Sequence, residues 1–250
     1  MATEDSYWKG YSEYRSHENY SEVFSATLSK LSSELDLTSV KSCLMIGAGD
    51  GQHELQIIKQ FAVNTSNIVA VEPDHESAER LRARLEKILP GVDSQVIETN
   101  IQSWKCPDDP VDLVLMMLVL HHISASERKE LLKNLHEQWL TEGGYAVVMS
   151  PSRTKCPGSP RHIFERLGRT MTAWEDIKAD ILEAGFIMQR AREMQCVRDF
   201  SNLSESILRF YQRHIEQPVT LDDIRRVIEE LFPTGKTDQL FYMFAVFQKA

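Results

Sequence analysis

The sequence predicts an α/β protein whose core is a doubly wound, mainly parallel, seven-stranded sheet. Two observations predict this fold. Short apolar runs alternate with segments of helical periodicity over most of the 250 residues, which is typical of successive β–α units. The run at 111–118 is apolar at nearly every position, as expected for a parallel strand that is buried on both faces.

The region from residue 40 to residue 140 supplies the first strands and helices. Strands are predicted at 42–46, 68–72, 94–98 and 111–118, and helices at 52–62, 75–89 and 126–139. The glycine-rich turn Gly47–Gly51 separates the first strand from the first helix. Leu89-Pro90-Gly91 stops the second helix, and Ser126 is the predicted N-cap of the third.

The second half of the chain adds the remaining elements. Strands are predicted at 144–150, 186–196 and 239–248, and helices at 172–184, 201–216 and 220–231. The segment 151–168 is rich in Pro, Ser, Arg and Gly and is predicted to be a loop. Helix ends are marked by T-x-x-E at 172–175, by T-x-x-D at 220–223 and by Gly185. The helical pair at 201–232 is a predicted insertion before the last strand.

The glycine-rich turn is the strongest functional signal. Glycines allow positive φ angles and let a ligand approach the backbone closely, and the following helix N-terminus offers unpaired N–H groups. Glu72 ends the next strand, 21 positions past Gly51, where an acid can accept hydrogen bonds from both hydroxyls of a ribose. The pattern therefore predicts a ligand that contains a nucleoside.

The spacing of the glycines indicates which nucleoside. Dinucleotide sites favour G-x-G-x-x-G, whereas Gly47, Gly49 and Gly51 follow G-x-G-x-G. The tighter spacing resembles that of class I S-adenosylmethionine-dependent methyltransferases, which have a Rossmann-like fold. Those enzymes often carry an acid two positions before the first glycine, where this chain has Met45. NAD is the alternative ligand.

Two histidines follow the apolar strand. Ligands bind beyond the carboxyl ends of the strands in open α/β sheets, so His121 and His122 are candidates to contact a methyl acceptor or to accept its proton. The alternative is that they only end the strand and cap the next turn.

An aromatic stripe lies before the first strand. Its members recur at spacings of three and four, as on one face of a helix: Tyr7, Tyr11, Tyr14, His17, Tyr20 and Phe24. The stripe predicts either a lid helix over the active site or plain core packing. Tyrosine rings with Glu18 nearby would suit an ammonium group or an aromatic amine.

Composition narrows the partners. The net charge of −9 and the absence of a basic stripe disfavour nucleic acid. The four cysteines have no metal-ligand spacing, so we expect reduced thiols, no metal and a cytoplasmic protein. The sequence shows neither a signal peptide nor an apolar run long enough to span a bilayer, and a monomer that binds a small molecule is the default expectation.

The chain also resembles the histamine N-methyltransferase family over nearly its full length. The resemblance is carried by the glycine turn with G-Q-H-E-L-Q-I-I, by A-V-E-P-D, by the aromatic N-terminal segment with Glu18, by V-D-L-V-L-M-M-L-V-L, by M-T-A-W-E-D-I and by the C-terminal L-F-Y-M-F-A-V-F-Q-K-A. That family also lacks the acid at the position of Met45. The resemblance implies S-adenosylmethionine as the cofactor and nitrogen as the methyl acceptor atom.

The resemblance also suggests site residues. The residues expected to bind the cofactor are Gly47, Gly49, Gly51, Glu72, Ser77, Asn100 and Met117. The residues expected to bind the acceptor are Tyr7, Tyr11, Tyr14, Glu18, Leu118, His122 and Phe241, with Glu18, His121 and His122 as candidates for a chemical role. Leu118 and Phe241 stand where the family has a glutamine and an asparagine that contact histamine; Asp238 or Gln239 could replace the asparagine only with a shift.

These observations predict an N-methyltransferase of a biogenic amine or an amino-acid derivative. The alternatives are an O- or S-methyltransferase, a binding protein for S-adenosylmethionine without catalysis, and an NAD-dependent oxidoreductase. One methyltransferase domain is expected over 1–250, with an N-terminal lid at 1–30, a cofactor-binding core at 40–150 and an insertion at 200–232 that covers the substrate site.

Overall fold

The computed structural model describes residues 7–105, 109–152, 161–169, 172–215 and 217–250, and it describes no side chains at 7–9, 161 and 237–239. Cys106 and Cys156 therefore lie outside the described residues, as does most of the predicted loop at 151–168. In the part of the chain that the structure describes, no helix has the length and apolar character needed to cross a membrane.

The sheet has seven strands in the order β3-β2-β1-β4-β5-β7-β6. The four pairings β1–β2, β1–β4, β2–β3 and β4–β5 are all parallel. The strands are β1 (Ser42–Ile46), β2 (Asn67–Val71), β3 (Asp93–Ile97), β4 (Val111–Met117), β5 (Leu140–Pro151), β6 (Phe186–Asp199) and β7 (Lys236–Lys249). The sheet is thus the doubly wound, mainly parallel one that the sequence predicts.

The helices flank this order of strands. They are α1 (Tyr7–Ser16), α2 (Tyr20–Ser32), α3 (Gln52–Gln60), α4 (His75–Ile88), α5 (Ala125–Asn134), α6 (Arg161–Arg166), α7 (Trp174–Glu183), α8 (Glu205–Arg213) and α9 (Leu221–Leu231). A single 3-10 turn (Leu120–His122) follows β4, and a π-helical turn (Leu135–Trp139) follows α5.

The chain divides into two compact units. Unit 1 comprises Met1–Phe24, Ser152–Thr172 and Met194–Tyr242, and unit 2 comprises Ser25–Pro151, Ala173–Glu193 and Met243–Ala250. Unit 2 has an apolar core of strand residues such as Leu44, Val114 and Val148 packed with residues from α5 and α7. Unit 1 has its own core, in which residues of α6, α8 and α9 pack together.

The N-terminal segment differs from the prediction. The aromatic periodicity predicts one helix, but the structure has two, separated at His17–Asn19. Glu18 forms an isolated antiparallel bridge with Arg198, and the N–H of Asp199 donates to the C=O of His17 at 2.9 Å. Backbone pairing with the end of β6 therefore replaces the helical hydrogen bonds at this point.

Several helix ends also differ. Ser124, not Ser126, caps α5 by accepting from the N–H of Glu127. The N-cap of α7 is Ala173 rather than Thr172, and it makes no side-chain cap. The predicted capping box at Thr220 and Asp223 is confirmed. The predicted helix at 201–216 is observed as Glu205–Arg213, and residue 216 lies outside the described residues.

Candidate cofactor and acceptor sites

The glycine turn of unit 2 has the backbone that its sequence predicts. Gly47, Gly49 and Gly51 have φ angles of +60°, +54° and +74°, a region that side-chain-bearing residues rarely adopt. A Cβ atom at Gly47 would collide with Val119, and one at Gly51 would collide with Leu81. A Cβ atom at Gly49 would meet nothing within 4 Å. Two of the glycines are thus required by packing, while the third faces open space in which a ligand could lie.

Glu72 lies directly after β2 and beside this turn. Its side chain is 7% exposed. One carboxylate oxygen accepts from the N–H of Gly49 at 2.7 Å, and the other accepts from the N–H of Asp74 at 2.9 Å. A carboxylate offers about four lone-pair sites, so each oxygen keeps one further lone pair for a donor such as a ribose hydroxyl. Burial raises the pKa of Glu72, and the two N–H bonds oppose that rise.

The remaining candidate cofactor residues lie at strand ends in unit 2. Ser77 is buried in the first turn of α4, where its N–H donates to the N-cap Asp74 at 2.8 Å. Asn100 is exposed in the turn after β3. Met117 is the last residue of β4 and is 4% exposed. The parallel pairing places the ends of β1, β2 and β4 at one edge of the sheet, where ligands of such sheets bind.

The backbone conformation of Leu118 was not predicted from the sequence. Its φ of +61° makes it the non-glycine residue with positive φ among those that the structure describes. Its N–H donates to the C=O of Met149 at 2.8 Å, which extends the pairing of β4 with β5. A bulky residue in this conformation is strained, and such strain is found at functional sites. The conformation therefore supports a functional role for the end of β4.

The two histidines occupy the 3-10 turn after Leu118. The rings of His121 and His122 lie with centroids 4.0 Å apart; His121 is buried and His122 is exposed. Arg128 fixes this turn, because its Nη1 donates to the C=O of Ile123 at 3.1 Å. Its Nε and Nη2 both donate to Asp180, at 2.7 and 2.5 Å. The buried ion pair thus holds the exit of the histidine turn.

Glu54 is a second residue that the sequence reasoning missed. It lies in the first turn of α3, is 2% exposed, and its Oε2 has no hydrogen-bond partner among the described residues. Burial, helped by the nearby Asp50 and Glu72 and opposed by backbone hydrogen bonds, raises its pKa to about 8. The sequence shows an acid directly after the glycine turn, but it does not show that this acid is buried.

Unit 1 places Glu18 between two arginines. Nη1 of Arg15 lies 3.0 Å from Oε2 of Glu18 and also donates to the hydroxyl of Tyr242 at 3.0 Å. Arg198 is ion-paired with the other oxygen of Glu18 and donates to the hydroxyl of Tyr211 at 3.3 Å. The carboxylate of Glu18 is thus paired with two guanidinium groups. That Glu18 contacts an acceptor amine stays a prediction.

The aromatic stripe is divided between packing and the arginine cluster. Tyr20 and Phe24 are buried and stack with centroids 5.6 Å apart. Tyr11 and Tyr14 are half-buried and pack against Phe210 at 5.9 and 4.6 Å. The remaining predicted acceptor residues of this unit give less information. Phe241 is half-buried, and the side chains of Tyr7, Asp238 and Gln239 lie outside the described residues.

Comparisons with known proteins agree with the fold and with the glycine turn. Residues 43–144 match the family model described as a methyltransferase domain. A search of curated protein sequences gives no significant match. The predicted resemblance to histamine N-methyltransferases therefore gains no support from these comparisons.

Solved structures with this fold include several methyltransferases. A candidate methyltransferase from Bacillus halodurans is 15% identical with a TM-score of 0.63, covering 90% of this chain and 99% of that chain. N-methyltransferase NodS from Bradyrhizobium japonicum, solved with S-adenosyl-L-homocysteine, is 14% identical with a TM-score of 0.55, covering 90% and 85%. A candidate sarcosine dimethylglycine methyltransferase from Galdieria sulphuraria is 15% identical with a TM-score of 0.57, covering 90% and 86%.

The residues at the glycine turn fit the group that this fold binds. Gly49 leaves open space beside the backbone, and Glu72 keeps acceptor capacity beside that space. The chain has the class I methyltransferase fold, and its match to the methyltransferase domain supports methyl transfer with S-adenosylmethionine as the cofactor.

Proposed function

We propose that this protein transfers a methyl group from S-adenosylmethionine to a nitrogen atom of a small molecule, an amine or an amino-acid derivative. The observation that carries the proposal is the pairing of Glu72 with the N–H of Gly49 at 2.7 Å. This hydrogen bond fixes a buried carboxylate next to the one glycine of the turn that faces open space. The nitrogen acceptor rests on the family resemblance of the sequence.

The proposed cofactor residues bind and orient. Glu72 would accept hydrogen bonds from the two ribose hydroxyls, and the turn at Gly49 would allow the cofactor to lie against the backbone. Ser77, Asn100 and Met117 would complete the site around the nucleoside. Bound S-adenosylmethionine supplies a methyl group that its sulfonium centre activates.

The acceptor must present an unprotonated nitrogen. His121 and His122 are the candidate bases in unit 2, and His122 is exposed and can exchange a proton with water. In unit 1 each carboxylate oxygen of Glu18 is paired with a guanidinium group, which makes Glu18 a weaker base. A positioned base contributes about 10²–10⁴-fold, and proximity and orientation contribute more. We therefore expect most of the rate enhancement to come from holding the acceptor in place.

The proposed acceptor residues remain Leu118 and His122 in unit 2, and Tyr7, Tyr11, Tyr14, Glu18 and Phe241 in unit 1. An apolar Leu118 and Phe241 favour an acceptor with a more apolar ring than histamine. We also propose that segments 1–30 and 200–232 take part in acceptor binding, and that the protein acts as a cytoplasmic monomer.

The cofactor assignment is tested by calorimetric titration of S-adenosylmethionine into Glu72→Gln. We expect the dissociation constant to rise about 10- to 100-fold, because hydrogen bonds to a charged group contribute about 1.5–3 kcal/mol. The control is Glu76→Gln in the first turn of α4, whose side chain is 37% exposed and paired with Arg80 at 2.9 Å. Equal affinities of Glu72→Gln and the parent protein would overturn the assignment.

The reaction is tested by release of S-adenosylhomocysteine over a panel of amines and amino acids. Turnover with a nitrogen acceptor supports the proposal. Turnover with hydroxyl or thiol acceptors alone would replace N-methylation by O- or S-methylation, and no turnover with intact cofactor binding would indicate a binding protein without catalysis.

A further inference from the structure

We propose that the cluster of Arg15 and Arg198 in unit 1 binds the carboxylate of a small organic molecule. This inference rests on the proposed function in one respect: the methyl acceptor is the ligand expected there. It then follows that the acceptor is an amino acid or a related amino acid derivative rather than a decarboxylated amine.

The charges of the described side chains in this cluster do not balance. Arg15 and Arg198 share a single carboxylate, that of Glu18, among the side chains that the structure describes around them. The side chains of Arg198 and Glu18 are 1% and 0% exposed. Among the side chains that the structure describes, two cations and one anion leave one positive charge in surplus, and an unbalanced buried charge is costly unless another group compensates it.

One N–H donor of Arg198 has no acceptor among the described residues. Nη1 of Arg198 donates to Tyr211 and Nη2 faces Glu18, but its Nε has no hydrogen-bond partner among the described residues. A guanidinium is a planar fork of N–H donors that matches the geometry of a carboxylate. A ligand carboxylate would supply both the missing acceptor and the missing negative charge.

The surroundings of the two arginines are aromatic. Aromatic rings contact both cations: Tyr14 lies 3.7 Å from the guanidinium carbon of Arg198, and Tyr20 lies 4.5 Å from that of Arg15. Ring faces stabilise a cation but carry no net charge, so they hold the arginines in place without neutralising them. The side chain of Arg15 is 15% exposed, against 1% for Arg198 and 0% for Glu18, so Arg15 is the member of the cluster that lies nearest to solvent.

The test is a thermal-shift titration of the full chain without cofactor, using matched pairs of ligands. The pairs are histidine with histamine, phenylalanine with phenylethylamine, and tryptophan with tryptamine, and acetate and phosphate are further arms. We expect the carboxylate member of at least one pair to raise Tm while its amine does not. Stabilisation by the amines as strong as by the amino acids would overturn the inference. Stabilisation by acetate or phosphate equal to that by the amino acids would assign the cluster to a simple anion instead.

The residue assignment is tested with Arg198→Met, which should weaken binding of the carboxylate ligand by about 10- to 100-fold, the factor expected for losing a charge-assisted hydrogen bond. The control is Arg209→Met, whose guanidinium is 47% exposed and paired with Glu205 on α8. Should Arg198→Met fail to fold, Arg15→Gln tests the same cluster from its exposed side. Unchanged affinity in a folded variant contradicts the inference. Carboxylate binding by a protein that does not bind S-adenosylmethionine would keep the inference and overturn the proposed function.

Discussion

The two units both bury arginine side chains, but they pair these cations differently. In unit 2, Arg128 is 2% exposed and is matched by one carboxylate, Asp180, and by the C=O of Ile123. In unit 1, Arg15 and Arg198 share Glu18. The first arrangement is complete within the protein and fixes the turn that carries the histidines. Within the described part of unit 1, the second leaves a surplus charge and an unused N–H, which is the arrangement expected of a site that receives an anion.

Unit 2 also contains a buried acid, and protonation rather than a ligand removes its charge. Glu54 is 2% exposed, and burial raises its pKa to about 8. At neutral pH the carboxyl group therefore holds its proton and carries no charge. Pairing and protonation both neutralise buried groups in unit 2, whereas a guanidinium cannot lose its proton in unit 1. The buried charges of unit 2 are therefore neutralised within the protein, whereas we expect a ligand carboxylate to neutralise the surplus charge of unit 1.

The largest effect is expected for Glu18→Gln. The substitution keeps the shape of the side chain but leaves two adjacent buried cations without a counter-ion. We expect the free energy of unfolding, measured by urea denaturation, to decrease by an amount near the upper end of about 3–5 kcal/mol. The control is Glu205→Gln, which affects an exposed pair with Arg209. A loss of stability no greater than in that control would show that the two arginines do not need Glu18 as a counter-ion.

Arg128→Met should follow, with a loss near the lower end of about 3–5 kcal/mol. The variant leaves the carboxylate of Asp180 buried, but Nζ of Lys129 lies 3.8 Å from it and compensates in part. Addition of a carboxylate ligand should not change the size of this loss, since no ligand is expected in unit 2 at this place. The control is Lys129→Met, because the side chain of Lys129 is half-exposed. A smaller difference in stability between Arg128→Met and the parent protein when an amino acid is present would contradict the contrast between the units.

Glu54→Gln should change how stability depends on pH. The pKa of about 8 in the folded protein lies above that of the unfolded chain, so the folded state binds the extra proton. Its contribution is complete below the unfolded pKa and is lost as pH rises towards 8. Between pH 5 and pH 8 the parent protein should lose about 3 kcal/mol more than Glu54→Gln. Parallel curves of unfolding free energy against pH would mean that Glu54 is ionised when buried.

Arg198→Met is expected to have the smallest effect in the absence of ligand, a change of about 1 kcal/mol or less. Glu18 keeps Arg15 as its partner, so the variant has one cation and one anion, and a buried ionic group replaced by an apolar one of similar size is often neutral. Urea denaturation beside Arg128→Met gives the direct comparison. A loss as large as that of Arg128→Met would make both arginines structural.

Much of the cofactor side could be predicted from the sequence. The glycine spacing, Glu72 and the apolar strands are local patterns, and local patterns fix strand–turn–helix geometry. The pairing of Glu18 with Arg198 could not be predicted, since these residues are far apart in sequence and meet only where the end of β6 pairs with 17–19. The burial of Glu54 and the positive φ of Leu118 likewise depend on tertiary packing that no short pattern encodes.

The most direct test of the central claim is a comparison of kcat/KM for an amino-acid acceptor and for the amine that lacks its carboxylate, in the parent protein and in Arg198→Met. We expect the parent protein to favour the amino acid by about 10-fold or more and the variant to reduce this preference close to unity. A parent protein that favours the amine, with the same ratio in Arg198→Met, would contradict it.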